Sequence, residues 1–451
     1  MKKTKGFKKV VAGILAVVTT LTLALTGCGA PNNEEVVGNA DNKKKERTLT
    51  LAGWGTIQEK KNFADLVRLF EETHPGVKVN YQHYCNASRE YNIKLVANLS
   101  RNKLPDVFYL ETKNYRTWAE AGRLMDLTDY VEGSEEYKAG NIWDRALEVY
   151  RVDEKTLQPS DDGKIYALPK DLGPYAMIYN KDLFIEKGVP LPDPEKPMTW
   201  TQFVETAKKF VSGTGINKIY GCANYDLATA VWSNGGDFLS EDKKTVTVDT
   251  PEFAEALQWV VDLANVHGVA PNQAEAATNG WFERFCNGKV AMGWMGAWQQ
   301  SDLWEALDFE WDIMPTPVSD KTGLGVTYLG TAALCASKTT NEPELAYELL
   351  EFLTMNKVAQ KANYQNGMAV PSLKDMEDEY LAMDKLPKNK QVFMDTLKHE
   401  EKGKFLPTYY TKTTDWYDYF FSNLTKVNKG EMTAAEYCKM IQPDVQKRLE
   451  Q

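Results

Sequence analysis

Hydrophobic and polar residues alternate along Thr48-Leu-Thr-Leu-Ala-Gly-Trp54 as in a half-buried strand, which runs into Gly53-Trp54-Gly55. From Ile57 to Thr73 the apolar positions change to helical spacing. Phe63, Leu66, Val67 and Phe70 share one face, and His74-Pro75-Gly76 supplies the stop. Val77 to Tyr81 then predicts a strand, Tyr91 to Leu99 a helix, and Pro105 to Leu110 a buried strand. Strand, helix, strand, helix, strand in this order predicts a parallel sheet with right-handed crossovers. Ligands of such sheets sit beyond the C-terminal strand ends, here Gly53-Trp54-Gly55 and Leu110-Glu111-Thr112.

Further along, Tyr166 to Leu168 and Ala176 to Tyr179 are short apolar runs. Between them Pro169-Lys-Asp-Leu-Gly-Pro174 is polar and bracketed by prolines, which predicts a break in the strand. An extended segment interrupted in mid-chain predicts a crossing between two lobes. Val290 to Trp298 and Val326 to Cys335 are two more candidate crossings. A capping box, Thr199-x-x-Gln202, opens a helix whose inward face is Trp200, Phe203, Val204, Ala207 and Phe210. Trp200 is therefore read as a packing residue. Thr250-Pro251 and Asn341-Glu-Pro343 open two further helices, and Trp232-Ser-Asn-Gly-Gly-Asp237 reads as a loop carrying an aromatic. The tail from Ser372 is helical in pattern. A body of about 400 residues is too long for one simple core and suits two lobes.

The N-terminus changes the picture. Five lysines precede an apolar run, Val10 to Leu25, that is short for a spanning helix. The run ends Leu25-Thr26-Gly27-Cys28, which resembles a bacterial lipobox. That resemblance implies a signal peptide over 1–27, cleavage before Cys28 and lipidation of its thiol; the alternative is an uncleaved signal anchor. Pro31 to Arg47 is polar and reads as a flexible tether. Losing residues 1–27 removes five lysines and no acid, so the formal charge moves from −10 to about −15. So acidic a body disfavours nucleic acid and anionic polymers as ligands, and is compatible with a neutral solute.

Candidate chemistry is narrow. There is no G-x-S-x-G, phosphate-cradling glycine loop, H-E-x-x-H or Cys–His arrangement. The four histidines are scattered, and Cys85, Cys222, Cys286, Cys335 and Cys438 lie far apart in no metal spacing, which argues against a metal site and leaves any disulfide pairing open. No cofactor is expected. Carboxylates are plentiful, so a glycosidase-like pair stays open on composition. With 12 Trp and 22 Tyr, the chain places aromatics beside glycines and amides at predicted strand ends and loops. Trp54, Tyr109, Tyr175, Trp232, Trp294, Trp298, Tyr328 and Tyr364 fit that description. Such rings can stack on the C–H face of a pyranose while carboxylates and amides take its hydroxyls.

Leu104-Pro-Asp-Val-Phe108, Gly122-Arg-Leu-Met-Asp-Leu-Thr-Asp129, Gly163-Lys-Ile-Tyr-Ala-Leu-Pro169 and Tyr179-Asn-Lys-Asp-Leu-Phe184 stand in order. Thr199-Trp-Thr-Gln-Phe203, Asn287-Gly-Lys-Val-Ala-Met292, Gly296-x-Trp298 and Gly367-x-x-x-Pro371-Ser372 follow. In this order and spacing the chain from about Thr48 onward resembles the family 1 extracellular solute-binding proteins, the lipoprotein receptors of carbohydrate ABC importers. The resemblance implies an α/β, two-lobe periplasmic-binding-protein-like fold. Each lobe is a mostly parallel sheet flanked by helices, with crossing hinge segments and a helical C-terminal region. The lobes would be 48–169 with 292–326, and 170–291 with 327–451, after a 28–47 tether. It implies ligand contacts at Trp54, Gln58, Glu111, Thr112, Lys170, Asp171, Tyr175 and Trp298, with Lys170 alternatively pairing only with Asp171. It further implies a monomeric, non-enzymatic, lipid-anchored receptor on the outer side of a bacterial membrane. That receptor would capture a neutral oligosaccharide and deliver it to ABC permease subunits. The alternatives are the same fold binding a peptide, polyamine or organic acid, and a surface glycosidase.

Overall fold

A computed structural model describes residues 46–451 apart from Asn224; the signal peptide, Cys28 and nearly all of the tether lie outside the described residues. Strand β1 (Arg47–Trp54), helix α1 (Ile57–Thr73), β2 (Val77–Cys85), α2 (Ser88–Ser100) and β3 (Val107–Glu111) follow one another as the periodicity predicts. β1 pairs in parallel with both β2 and β3. Asp106 ties this half together. Its Oδ2 accepts from the Thr50 amide at 2.9 Å and the Thr50 hydroxyl at 2.7 Å, and its Oδ1 accepts from Thr340 at 2.7 Å. Helix α3 (Thr112–Glu120) leaves directly from β3, so Glu111 and Thr112 sit at the junction.

The remaining long strands are β4 (Leu168–Asn180), β5 (Tyr220–Cys222), β6 (Val290–Gly296), β7 (Trp311–Met314) and β8 (Thr327–Ala336). β4 runs straight through the expected break. Its first part pairs with β8, from Leu168↔Leu334 to Pro174↔Leu329, and its second part with β6 and β7. The prolines are tolerated for local reasons. The register slips so that Pro169 faces Ala333 and Asp171 faces Ala332, which leaves Lys170 as a bulge. Pro174 falls where β4 exchanges β8 for β6 as its neighbour.

The strand order is β2-β1-β3-β8-β4-β6-β5, with β7 also beside β4. The sheet is therefore mixed rather than mostly parallel. The outer pairs β1/β2, β1/β3 and β5/β6 are parallel, but β8 is antiparallel to both β3 and β4. The cause is that β4 carries the chain out of the β1–β3 half and β8 carries it back. One hydrophobic cluster runs along the whole sheet, from Leu51 and Phe108 to Ile178 and Ile313. A second fills the other face of the β5–β7 half, around Met177, Met292, Phe203 and Phe253. Helices Pro343–Met355 and Gln391–Lys398 pack into the first cluster, and Asp415–Ser422 and Ala434–Leu449 into the second.

Trp200 is a packing residue, its ring stacked on Trp259 with centroids 4.1 Å apart behind the Thr199 capping box. The segment around Trp232 is a helix, Leu227–Ser233, and not a loop; the turn begins only at Asn234-Gly235, where Gly235 takes φ +83°.

Candidate functional site

The ends of β1 and β3, the bulge of β4, the turn after β6 and the start of β8 enclose a cavity of about 370 Å³. Its aromatic wall is Trp54, Trp298 and Tyr328. Trp298 sits on the 3-10 turn Ala297–Gln299 that leaves β6. Its indole lies against three glycines, one from each of three strands. A Cβ on Gly173 of β4 or Gly296 of β6 would overlap the ring, and one on Gly330 of β8 would come within 3.0 Å of it. Only glycine leaves room for an indole so close to three backbones. Tyr175, half-buried, packs beside this wall, its centroid 5.3 Å from both Trp298 and Tyr328.

The polar floor is built on the bulge. Lys170 Nζ lies 2.7 Å from Glu59 Oε1 and 2.5 Å from Asp171 Oδ2, and 5.2 Å from the Tyr109 ring centroid. Asp171 Oδ1 accepts from the Ala332 amide at 3.2 Å. Burial alone would lower the pKa of the Lys170 ammonium, but Asp171 and Glu59 outweigh it and hold the group well above its ordinary value. Burial pushes the Glu59 carboxyl up, against the pull of Lys170. Two carboxylates thus share one cation, a formal excess of one negative charge in the floor.

Beside it, Glu111 accepts from Asn92 Nδ2 and lies 3.6 Å from Lys113 Nζ. The Thr112 hydroxyl donates to the Thr331 carbonyl at 2.7 Å. The Tyr328 and Tyr409 hydroxyls are 2.5 Å apart, and Tyr409 donates onward to the Thr331 carbonyl at 3.3 Å. Burial pushes the Tyr409 hydroxyl up to about 12, so it stays a donor at any physiological pH.

Trp54, Glu111, Asp171, Trp298 and Tyr328 are thus brought together on the cavity wall from five separate stretches of sequence, and Tyr175 packs next to Trp298 and Tyr328. Gln58 lies off the wall, hydrogen-bonded to Glu305. Trp232 is only 2% exposed, and its indole N–H donates to Asp237 Oδ1 at 3.2 Å. Trp294 is buried in the second cluster, roughly parallel to Tyr175 at 6.4 Å. The sequence reading did not find Glu59, Thr331, Thr408 or Tyr409, which also line the cavity. Glu59 looks like any acid in a first helical turn; the other three carry no periodic signal. Among the described residues no group of His, Cys, Asp or Glu could hold a metal ion, the five cysteines are free thiols, and no helix is long and apolar enough to cross a membrane.

Comparison with known proteins gives the same class at three levels. The sequence profile described as bacterial extracellular solute-binding protein matches residues 65–394. An arabinooligosaccharide-binding protein of Halalkalibacterium halodurans is 27% identical over 66% of this chain, and the match spans 62% of that relative's length. A diacetylchitobiose-binding protein of Streptomyces coelicolor is 26% identical over 78% of each chain. Among solved structures, an ABC substrate-binding protein of Listeria monocytogenes in complex with cycloalternan superposes with a TM-score of 0.77 and 25% identity. It covers 90% of this chain and 100% of that one.

Proposed function

The chain belongs to the bacterial extracellular solute-binding proteins, an extracytoplasmic family of binding proteins, and from that premise we propose that it captures a sugar or oligosaccharide in the cavity beneath Trp298. The observation that carries this reading is the indole held on Gly173, Gly296 and Gly330 next to buried carboxylates. A flat apolar ring beside hydroxyl acceptors matches the two faces of a pyranose. The sugar-binding relatives support it. The two halves of the sheet serve as the two lobes, hinged where β4, β6 and β8 meet under Trp298. In the 292–326 stretch, β7 stays beside β4 in the second half, whereas Gln300–Ala306 reaches the first through Glu305 and Gln58.

The receptor hands its solute to ABC permease subunits, works as a monomer, and is held to the membrane by a lipid on Cys28. It performs no chemistry on its ligand, in line with a family and relatives that are binding proteins. A thermal-shift screen of residues 46–451 against an oligosaccharide panel tests the reading. A true ligand at about 100 times its dissociation constant adds roughly 2.7 kcal/mol. A panel without a shift, together with hydrolysis of any member, would replace this reading with a glycosidase.

A second reading has one observation in its favour. The excess negative charge around Lys170 suits a solute carrying a cation, such as a polyamine or an amino sugar.

A further inference from the structure

We propose that the segment Phe405–Tyr410 closes one end of the cavity, so that a saccharide is bound by a chain end and not along its middle. This inference rests on the sugar reading above and adds which part of the sugar is read.

The segment is a partition one residue thick. Leu406, Thr408 and Tyr409 line the 370 Å³ cavity. Phe405, Pro407 and Tyr410 line a second cavity of about 500 Å³ on the opposite side. The alternation sets the segment between the two hollows.

The partition is firmly built although it contains only a short 3-10 turn, Pro407–Tyr410. Phe405, Pro407, Thr408 and Tyr409 are buried. Side chains of the first half pin it at its end and on the chain to either side. Gln158 Nε2 donates to the Tyr410 carbonyl at 2.9 Å, Arg145 Nη1 to the Gly403 carbonyl at 2.9 Å just before the segment, and the Thr117 hydroxyl to the Lys412 carbonyl at 2.6 Å just after it. Tyr409 is fixed again through Tyr328.

On the far side several polar groups are taken up by one another: Arg145 with Glu148 at 3.1 Å, Tyr410 with Glu148 at 2.9 Å, and Trp232 with Asp237 at 3.2 Å. The near side presents Leu406 and Thr408 to whatever fills the cavity. At about 370 Å³ the cavity is at the small end of ligand sites. A terminal sugar ring carries one hydroxyl that an internal ring has spent on its glycosidic bond. A wall contacting that hydroxyl therefore distinguishes an end from a middle.

Calorimetric titration with arabino-, chito- and malto-oligosaccharides, disaccharide to heptasaccharide, tests this. Each series is run free, methylated at the reducing end, and methylated on the terminal ring at the other end. In the series that binds, affinity stops rising once the cavity is full. One methylated form binds about tenfold or more weaker and the other within about twofold of the free sugar. The variant Thr408→Gly, shown to be folded by its melting curve, regains affinity for the penalised form. Equal tolerance of both caps, or affinity that climbs along the whole series, overturns the partition and leaves sugar binding intact. No heat with any member overturns the sugar reading and this inference together.

Discussion

At the scale of single residues, the site depends on Trp298 and on what lies behind it. Trp298→Ala should cost about 1–3 kcal/mol of ligand affinity if the ring stacks on sugar, with little change in melting temperature. Gly173→Ala should do comparable damage while leaving the indole in the protein, because the added methyl overlaps the ring. Titration calorimetry on both variants decides, and affinity that survives both would remove Trp298 from the site. Lys170 has a different role. Lys170→Met leaves Glu59 and Asp171 buried without their shared cation and should destabilise by about 3–5 kcal/mol, read from urea unfolding. Asp226 gives a pH test. It caps Leu227–Ser233 by accepting from the Thr229 amide at 2.7 Å, yet burial raises its carboxyl above the ordinary value of 3.8. The folded state therefore holds this proton at higher pH than the unfolded state, and stability falls as pH rises through that window. Asp226→Asn keeps the cap and removes the penalty. Its melting temperature should exceed the parent's at neutral pH, and the gain should shrink as pH falls towards about 4; a gain constant with pH would show another cause. At this scale Trp298 was legible because Gly296 stands two residues before it and two amides, Gln299 and Gln300, follow it. Glu59 was not, because nothing local distinguishes it from Glu71 or Glu72.

Among the elements, β4 shows both the reach and the limit of reading periodicity. Its two apolar runs were visible, and so was the polar stretch between them. Their continuity was not, because the partner that satisfies Lys170-Asp171-Leu172 is β8, distant in sequence. A bulge leaves no period of its own; it appears only when two strands are set side by side. The bulge makes a sharp prediction. Deleting Lys170 removes the extra residue and leaves Pro169 against Ala333 and Asp171 against Ala332 in plain one-to-one pairing, so the register on both sides survives. What is lost is the cation between Glu59 and Asp171. The deletion should therefore still melt cooperatively by circular dichroism, at a temperature lowered about as far as in Lys170→Met. Loss of the cooperative melt in the deletion alone would mean that the bulge itself sets the register. Trp232 teaches the same lesson from the other side: Asn-Gly-Gly after it suggested a loop from Trp232 on, but the turn starts two residues later, at Asn234, and leaves the indole on the buried face of a helix.

For the whole molecule, the alternation of strands and helices was enough to show an α/β body with crossings, because each crossing carries its own apolar run. The partition at Phe405–Tyr410 was not legible, since its buried residues follow no period and its partners, Thr117, Arg145 and Gln158, are remote in sequence. The charge of the body separates the two solute readings. The chain carries a formal −10, and the cavity floor holds two carboxylates about one lysine. A neutral saccharide gains nothing from that field, so its dissociation constant should change by less than about twofold between low and high salt. A cationic solute is drawn by the same field, and its binding should weaken steadily as salt screens the acidic surface around the mouth. Titrating the best ligand at two ionic strengths therefore reads the sign of what the floor was built for. An affinity that falls with salt assigns Glu59 and Asp171 to a cation on the ligand. One that holds leaves them as hydroxyl acceptors kept in place by Lys170.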